Sequence, residues 1–116
     1  MRFLPAPVLM LLVVSGCASD PAPIEQLRLS EQAVAQARSM DASPAYEELL
    51  LAESKLSEAR AALDAGDNRQ ARMLAEQAEL DARLAEARVL KDKRQAQIDD
   101  LNLRIQRLRQ QLGEQR

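Results

Sequence analysis

The sequence has little of what enzymes use most often for chemistry. Its 116 residues include no histidine and no tryptophan, with one cysteine, one tyrosine and one phenylalanine. Without histidine, a serine or cysteine nucleophile has no usual base, and zinc-type sites lack their main ligand. One cysteine also cannot form a disulfide within the chain. We therefore expect no enzyme, with no catalytic, metal-binding or cofactor-binding residues and no small-molecule substrate.

The single cysteine, Cys17, follows a segment typical of a secretory signal peptide. Arg2 provides a positive start, residues 3–14 are almost wholly apolar, and two small residues come directly before Cys17. Such a run is too short to span a bilayer, which takes roughly 20 apolar residues, and is normally removed. Its end, Val-Ser-Gly-Cys at positions 14–17, resembles the lipobox of bacterial lipoproteins.

The lipobox resemblance implies cleavage between Gly16 and Cys17 and attachment of lipid to Cys17, the alternative being an ordinary free or buried cysteine. Two or more acyl chains give stable membrane attachment. In many Gram-negative bacteria, an aspartate directly after the lipidated cysteine retains the protein at the inner membrane. Here Ala18 follows. The resemblance therefore implies a lipid-anchored protein of the outer membrane that faces the periplasm.

After the signal peptide, residues 1–16, the sequence predicts an all-α fold. Alanine, leucine, glutamate, glutamine and arginine dominate, and all are strong helix formers. The lipidated cysteine and a proline-containing, semi-rigid tether occupy residues 17–23. An alanine-rich helical domain then spans residues 24–90, and a C-terminal coiled-coil extension spans residues 91–116.

Local signals divide the helical domain into three helices. The first is predicted over about residues 24–40. Ser43 and Pro44 suit the N-cap and first position of a second helix, which ends at Gly66, where glycine can adopt the left-handed conformation. Asp67 caps the third helix, with Gln70 in capping-box spacing, and no proline or glycine follows until residue 113. The third helix is therefore long.

Helices two and three each carry an apolar stripe at alternating three- and four-residue spacing, which predicts an αα-hairpin. The stripe of helix two is Leu49, Ala52, Leu56, Ala59 and Leu63. The alanine stripe of helix three is Ala71, Ala75, Ala78, Ala82, Ala85 and Val89. The turn between them also resembles that of a tetratricopeptide repeat, but a single hairpin is the simpler interpretation because no second copy occurs. The predicted fold is thus a two-helix hairpin or, with helix one added, a three-helix arrangement.

A second apolar stripe follows one heptad register on another face of helix three. Its first part, the body stripe, is Leu80, Leu84 and Ala87, which we expect helix one or a partner to cover. Its second part, the tail stripe, is Ile98, Leu101, Ile105, Leu108 and Leu112. Lys91 and Arg94 interrupt the register between them. Ile at a and Leu at d favours parallel two-stranded coils, so we expect homo-oligomers, with a partner helix or a solvated helix as alternatives.

Charge is distributed unevenly along the chain. Residues 17–90 contain eight basic and fourteen acidic side chains, whereas residues 91–116 contain seven basic and four acidic ones. The acidic domain argues against nucleic acid as a partner. The basic tail is interpreted either as a solvated helix face or as a contact for anionic lipid, cell-wall polymer or an acidic protein.

Together, the lipobox, the Ser43-Pro44 start, the turn Ala62 to Asp67 and the Ala-Glu-rich run to Arg88 resemble an uncharacterised bacterial lipoprotein family. Its domain of unknown function often precedes an outer-membrane-protein-A-like peptidoglycan-binding domain, which we do not expect in this sequence. The resemblance implies a lipid-anchored structural spacer or scaffold of the cell envelope. The alternative is a binding module that recruits or regulates an envelope enzyme or secretion machine, or holds client proteins.

Overall fold

The computed structural model describes residues 20–41 and 47–114, and this part of the chain is built from three helices. They are α1 at Ile24–Ser39, α2 at Glu47–Asp64 and α3 at Asn68–Glu114. The predicted all-α fold with a long C-terminal helix is confirmed. The lipobox and the Ser43-Pro44 helix start lie outside the described residues, so both stay predictions.

The turn between α2 and α3 has the predicted capping geometry. Gly66 has φ +80°, and the Asp67 N–H donates to Ala62 O at 2.9 Å, while the Gly66 N–H donates to Leu63 O at 2.9 Å. This pair of bonds is a Schellman motif, which satisfies carbonyls at the end of α2. Asp67 Oδ1 accepts the Gln70 N–H at 3.0 Å, so Asp67 is the N-cap of α3.

The core is centred on the alanine stripe, whose members are all buried. The predicted α2 stripe packs against it, with Leu49, Ala52, Leu56 and Ala59 buried and Leu63 partly buried at the edge. Ion pairs show that α2 runs antiparallel to α3, since Lys55 Nζ lies 2.6 Å from Asp81 Oδ2 and Arg88 Nη2 lies 2.8 Å from Glu48 Oε1. The predicted hairpin is therefore present.

Helix α1 is a third member of this core. Leu27, Ser30, Val34 and Ala37 are buried at three- and four-residue spacing. The Ser30 hydroxyl lies 2.6 Å from Ala75 O of α3 and 2.8 Å from Gln26 O of its own helix. A hydroxyl has one hydrogen, so Ser30 donates to one of these carbonyls at a time. Either way its small side chain lets the two backbones approach closely.

Contacts at both ends show that α1 runs parallel to α3 and antiparallel to α2. Gln26 Nε2 donates to Glu79 Oε2 at 2.7 Å, and Lys93 Nζ donates to Met40 O at 3.4 Å. Toward α2, Arg38 Nη2 lies 2.6 Å from Glu53 Oε1 and Arg60 Nη2 lies 2.8 Å from Glu31 Oε1. The three helices form an up-down-up body of residues 20–41 and 47–90.

Of the two alternatives for the body stripe, helix one or a partner, the structure excludes helix one. Helix α1 does not cover it, because α1 packs on the same side of α3 as α2 and shares the alanine stripe with it. Leu80 remains 66% exposed and Leu84 47% exposed. The physical reason is that alanine side chains are small enough for two helices to approach α3 side by side, so the core closes without using the second face.

Candidate interaction surface

The last described residues of α3 extend beyond the body as one helix, here called the tail (residues 91–114). Val89 is the last buried residue of α3, and every residue of the tail is exposed. At 1.5 Å per residue, these residues extend for about 36 Å. Beyond its first residues, where Lys93 contacts Met40 O at the end of the body, the tail therefore offers all its sides to a partner.

The tail stripe predicted from the sequence lies along one side of this helix. Its five members, Ile98, Leu101, Ile105, Leu108 and Leu112, are between 46% and 69% exposed. No other described segment of the chain packs against them. Fully burying such a side chain stabilises by about 1.5–3 kcal/mol, and roughly half of that remains to be gained at each of these half-exposed residues. The stripe consists of heptad positions a and d, which form the narrow contact line of a coiled coil.

The body stripe continues the same register toward the start of α3. Leu80 and Leu84 are exposed on the face opposite the helices that cover the alanine stripe. Lys91 and Arg94 occupy the a and d positions between the two stripes and are exposed as well. The apolar line on α3 is thus divided by two cations where the body ends and the tail begins.

The acidic side chains of the tail all lie on its outer side, which the net charge of the tail alone did not reveal. Positions a, d, e and g carry four cations and no acid, namely Lys91, Arg94, Arg104 and Arg109. The acids fall at positions b and c on the outer side, namely Asp92, Asp99, Asp100 and Glu114. Arg104 Nη2 reaches Asp100 Oδ2 at 2.7 Å, one turn back along the helix. The tail stripe is therefore flanked by positive charge.

At the opposite end of the body, the chain just before α1 lies against the first turns of α3. The Asn68 side-chain amide donates to Asp20 O at 2.7 Å, and Arg72 Nη2 donates to Pro21 O at 3.3 Å. Pro23 is buried. The part of the predicted tether within residues 20–23 is thus fixed beside the α2–α3 turn, about as far from the tail as the body allows.

Elsewhere, the body presents shallow surfaces. An open groove between α1 and α2 is lined by Leu27, Arg60 and Leu63, and another runs between α1 and α3. Within residues 20–41 and 47–114, no group of three or more His, Cys, Asp or Glu side chains is arranged to hold a metal ion. No helix in these ranges is both long and apolar enough to cross a membrane. This part of the fold has no feature typical of an enzyme site.

Comparisons with known proteins give a family and a similar structure. The sequence profile described as a domain of unknown function, DUF4398, matches residues 25–101. The chain is also similar to the crystal structure of a DUF4398 family protein from Pseudomonas aeruginosa PAO1, with 50% identity and a TM-score of 0.78. That match covers 83% of this chain and 100% of the other. No curated protein matches the chain.

Proposed function

This chain belongs to the DUF4398 family, and we propose that it is a lipid-anchored periplasmic protein that acts as a structural spacer or scaffold of the cell envelope. The observation that carries this proposal is the position of the two ends of the described chain. Residues 20–23 lie beside the start of α3, and the tail leaves the body at the other end. A membrane anchor and a free docking helix would therefore point in opposite directions.

The anchor would lie close to the start of α3. Cys17 precedes Asp20 by three residues, and three residues span at most about 11 Å. Asp20 O is bonded to Asn68, the first residue of α3. Lipid on Cys17 would thus place the membrane surface beside the α2–α3 turn.

The length of α3 sets how far the protein would reach from that surface. Its 47 residues correspond to about 70 Å of helix, of which about half lies beyond the body. No proline occurs in α3, and its one glycine, Gly113, is at the far end. A helix without a kink-forming residue transmits the orientation of the body to the tail.

A fluorescence-quenching experiment tests this geometry. The lipidated protein is placed in liposomes with quencher-labelled headgroups, and a fluorophore is attached either through Arg69→Cys, near the base, or through Gln110→Cys, near the tip. Both positions are exposed, and Cys17 would be blocked by its own lipid. The two labels are separated by about 62 Å along α3, so we expect strong quenching at residue 69 and little at residue 110.

Equal quenching at both positions would show that the protein lies flat on the membrane, and the spacer proposal would then be wrong. The tilt of the rod is read directly from the ratio of the two signals. A label at Ala61→Cys, an exposed residue near the end of α2, serves as a matched control because it lies at the same end as residue 69. It should be quenched like the Arg69→Cys label.

Recruitment is a second candidate function, and the exposed tail stripe favours it. A spacer needs length alone, whereas five exposed apolar residues in heptad register are typical of a helix that binds another helix. The partner is either a second copy of this chain or a helix from another protein. Neither function includes catalysis. The absence of histidine from the sequence and the shallow surface of the described body support this part of the proposal.

A further inference from the structure

We propose that the tail stripe binds an acidic amphipathic helix from another protein, with glutamate or aspartate opposite Lys91, Arg94, Arg104 and Arg109. The proposal deepens the recruitment function and rests on it. It does not depend on the lipid anchor, because the contact surface lies wholly within residues 91–114.

The shape of the apolar surface indicates a helix as the occupant. The tail stripe is limited to positions a and d, while Gln95, Gln97, Asn102 and Gln111 stand at the flanking e and g positions. Helices that lie in a membrane surface present a broader apolar face to the lipid. A narrow line of alternating three- and four-residue spacing suits knobs-into-holes packing with one partner helix.

The charge of the surface indicates the chemistry of that helix. The a, d, e and g positions between residues 91 and 112 carry four cations and no acid, although the tail as a whole contains acids. In a coiled coil, charges at e and g select the partner, and charged residues at a or d must find an opposite charge. Acidic side chains at the facing positions satisfy both conditions.

A second copy of the chain satisfies neither condition. In a parallel in-register pair, Lys91 faces Lys91, Arg94 faces Arg94, and Arg104 faces Arg109 of the other copy. In an antiparallel pair of tails, both contact faces again carry four cations and no acid. If the tail instead bound the body stripe of another copy, it would meet a face with no net charge, since Glu76 and Asp81 there balance Arg83 and Arg88. Like charges that face each other disfavour a pair of tails, and a face with no net charge offers the basic tail stripe no excess of acids.

Three labelled peptides of residues 91–114 test the proposal against the protein from Ala18 onward. The first has the native sequence and stands for a second copy. The acidic-face peptide carries glutamate at positions 91, 94, 104 and 109. The acidic-back peptide carries glutamate at positions 93, 96, 107 and 110, which lie on the outer side, and keeps the basic face. We expect the acidic-face peptide to bind at least tenfold more tightly than either of the others.

Two substitutions in the protein show whether binding uses the tail stripe. Leu101→Asn removes a d-position side chain that is 56% exposed, and Leu103→Asn removes a leucine that is 51% exposed on the outer side of the same turn. Binding of the acidic-face peptide should be lost in the first variant and kept in the second. Circular dichroism should show the same helix content in both, because neither residue packs in the body.

Several outcomes would overturn the proposal. Equal or tighter binding of the native peptide would assign the surface to a second copy. Equal binding of the acidic-back peptide would show general charge attraction, and binding of no peptide would show that the tail does not dock such helices. Binding to phosphatidylglycerol vesicles that Leu101→Asn abolishes, without peptide binding, would assign the surface to a membrane. The quenching experiment tests the anchored rod separately from all of these.

Discussion

Replacing Ala78 with leucine tests the packing on which the whole body depends. Ala78 lies in the middle of the alanine stripe, is fully buried, and belongs to the core cluster that residues of α1 and α2 share with α3. Leucine adds three carbon atoms where the helices already touch. Because α1 and α2 pack side by side, the new side chain cannot enter the space between them without moving at least one helix.

The expected loss of stability is large for a domain of this size. Extra methylene groups in a packed core typically cost 1–3 kcal/mol, so three carbons between helices should cost about 3 kcal/mol. One kcal/mol shifts the melting temperature of a 60–100-residue domain by about 4–8 °C, so a fall of roughly 12–24 °C follows. Thermal unfolding of the protein from Ala18 onward, followed through the helix signal in circular dichroism at about 222 nm, measures it.

Ala87→Leu is the matched control. It makes the same chemical change in the same helix, but Ala87 belongs to the body stripe and is exposed. Alanine and leucine both favour helix, so its melting temperature should change by no more than a few degrees. If Ala78→Leu melts like Ala87→Leu, the alanine stripe does not set the approach of the helices, and small side chains do not explain how the three-helix body closes.

Two further predictions concern the anchor. Cys17→Ala should block lipid attachment and leave an uncleaved precursor, because the sulfur atom of Cys17 would carry the lipid. Fatty-acid labelling that still reached this variant would refute the lipobox interpretation. The wild-type protein should fractionate with the outer membrane, and Ala18→Asp should move it to the inner membrane in a host that uses the aspartate signal. An unchanged distribution of Ala18→Asp there would refute the sorting argument.

Local signals predicted the α2–α3 hairpin because its determinants lie close together in the sequence. Gly66 and Asp67 end one helix and begin the next through bonds that span no more than five residues. Because this turn is short, α2 and α3 must run antiparallel, and their two apolar stripes then face each other. Every member of the alanine stripe is buried as a result.

The position of α1 could not be predicted in the same way. Its connection to α2 is longer, and its buried face includes Ser30, which a hydropathy pattern counts as polar. Only the fold shows that the Ser30 hydroxyl has carbonyl partners in the core. With Ser30 included, the buried residues of α1 recur at three- and four-residue spacing without a gap. A pattern that counted small residues as well as apolar ones could therefore have predicted that this helix packs on the alanine stripe.

The chemistry of the tail was also less visible in the sequence than its apolar pattern. The net charge shows that the tail is basic overall, but it does not show whether the face that meets a partner is positive or negative. Assigning each residue to a heptad position places four of the six cations of residues 91–114 in line with or beside the tail stripe, while all four acids lie on the outer side together with Lys93 and Arg107. The distinction depends on the register continuing without a break, which an unbroken α3 provides.

The three-helix body connects residues 20–23, at one end, to the tail at the other. Separate helices joined by flexible loops would leave the chain before α1 and the tail free to point in any direction. Here the side chains of Asn68 and Arg72 bind residues 20 and 21, while Lys93 near the other end of the body contacts Met40 O. Both ends of α1 are thereby fixed to the same helix that forms the tail. An anchor attached before residue 20 would therefore fix the direction of the tail stripe, so binding of a partner helix would occur at a defined distance from the membrane.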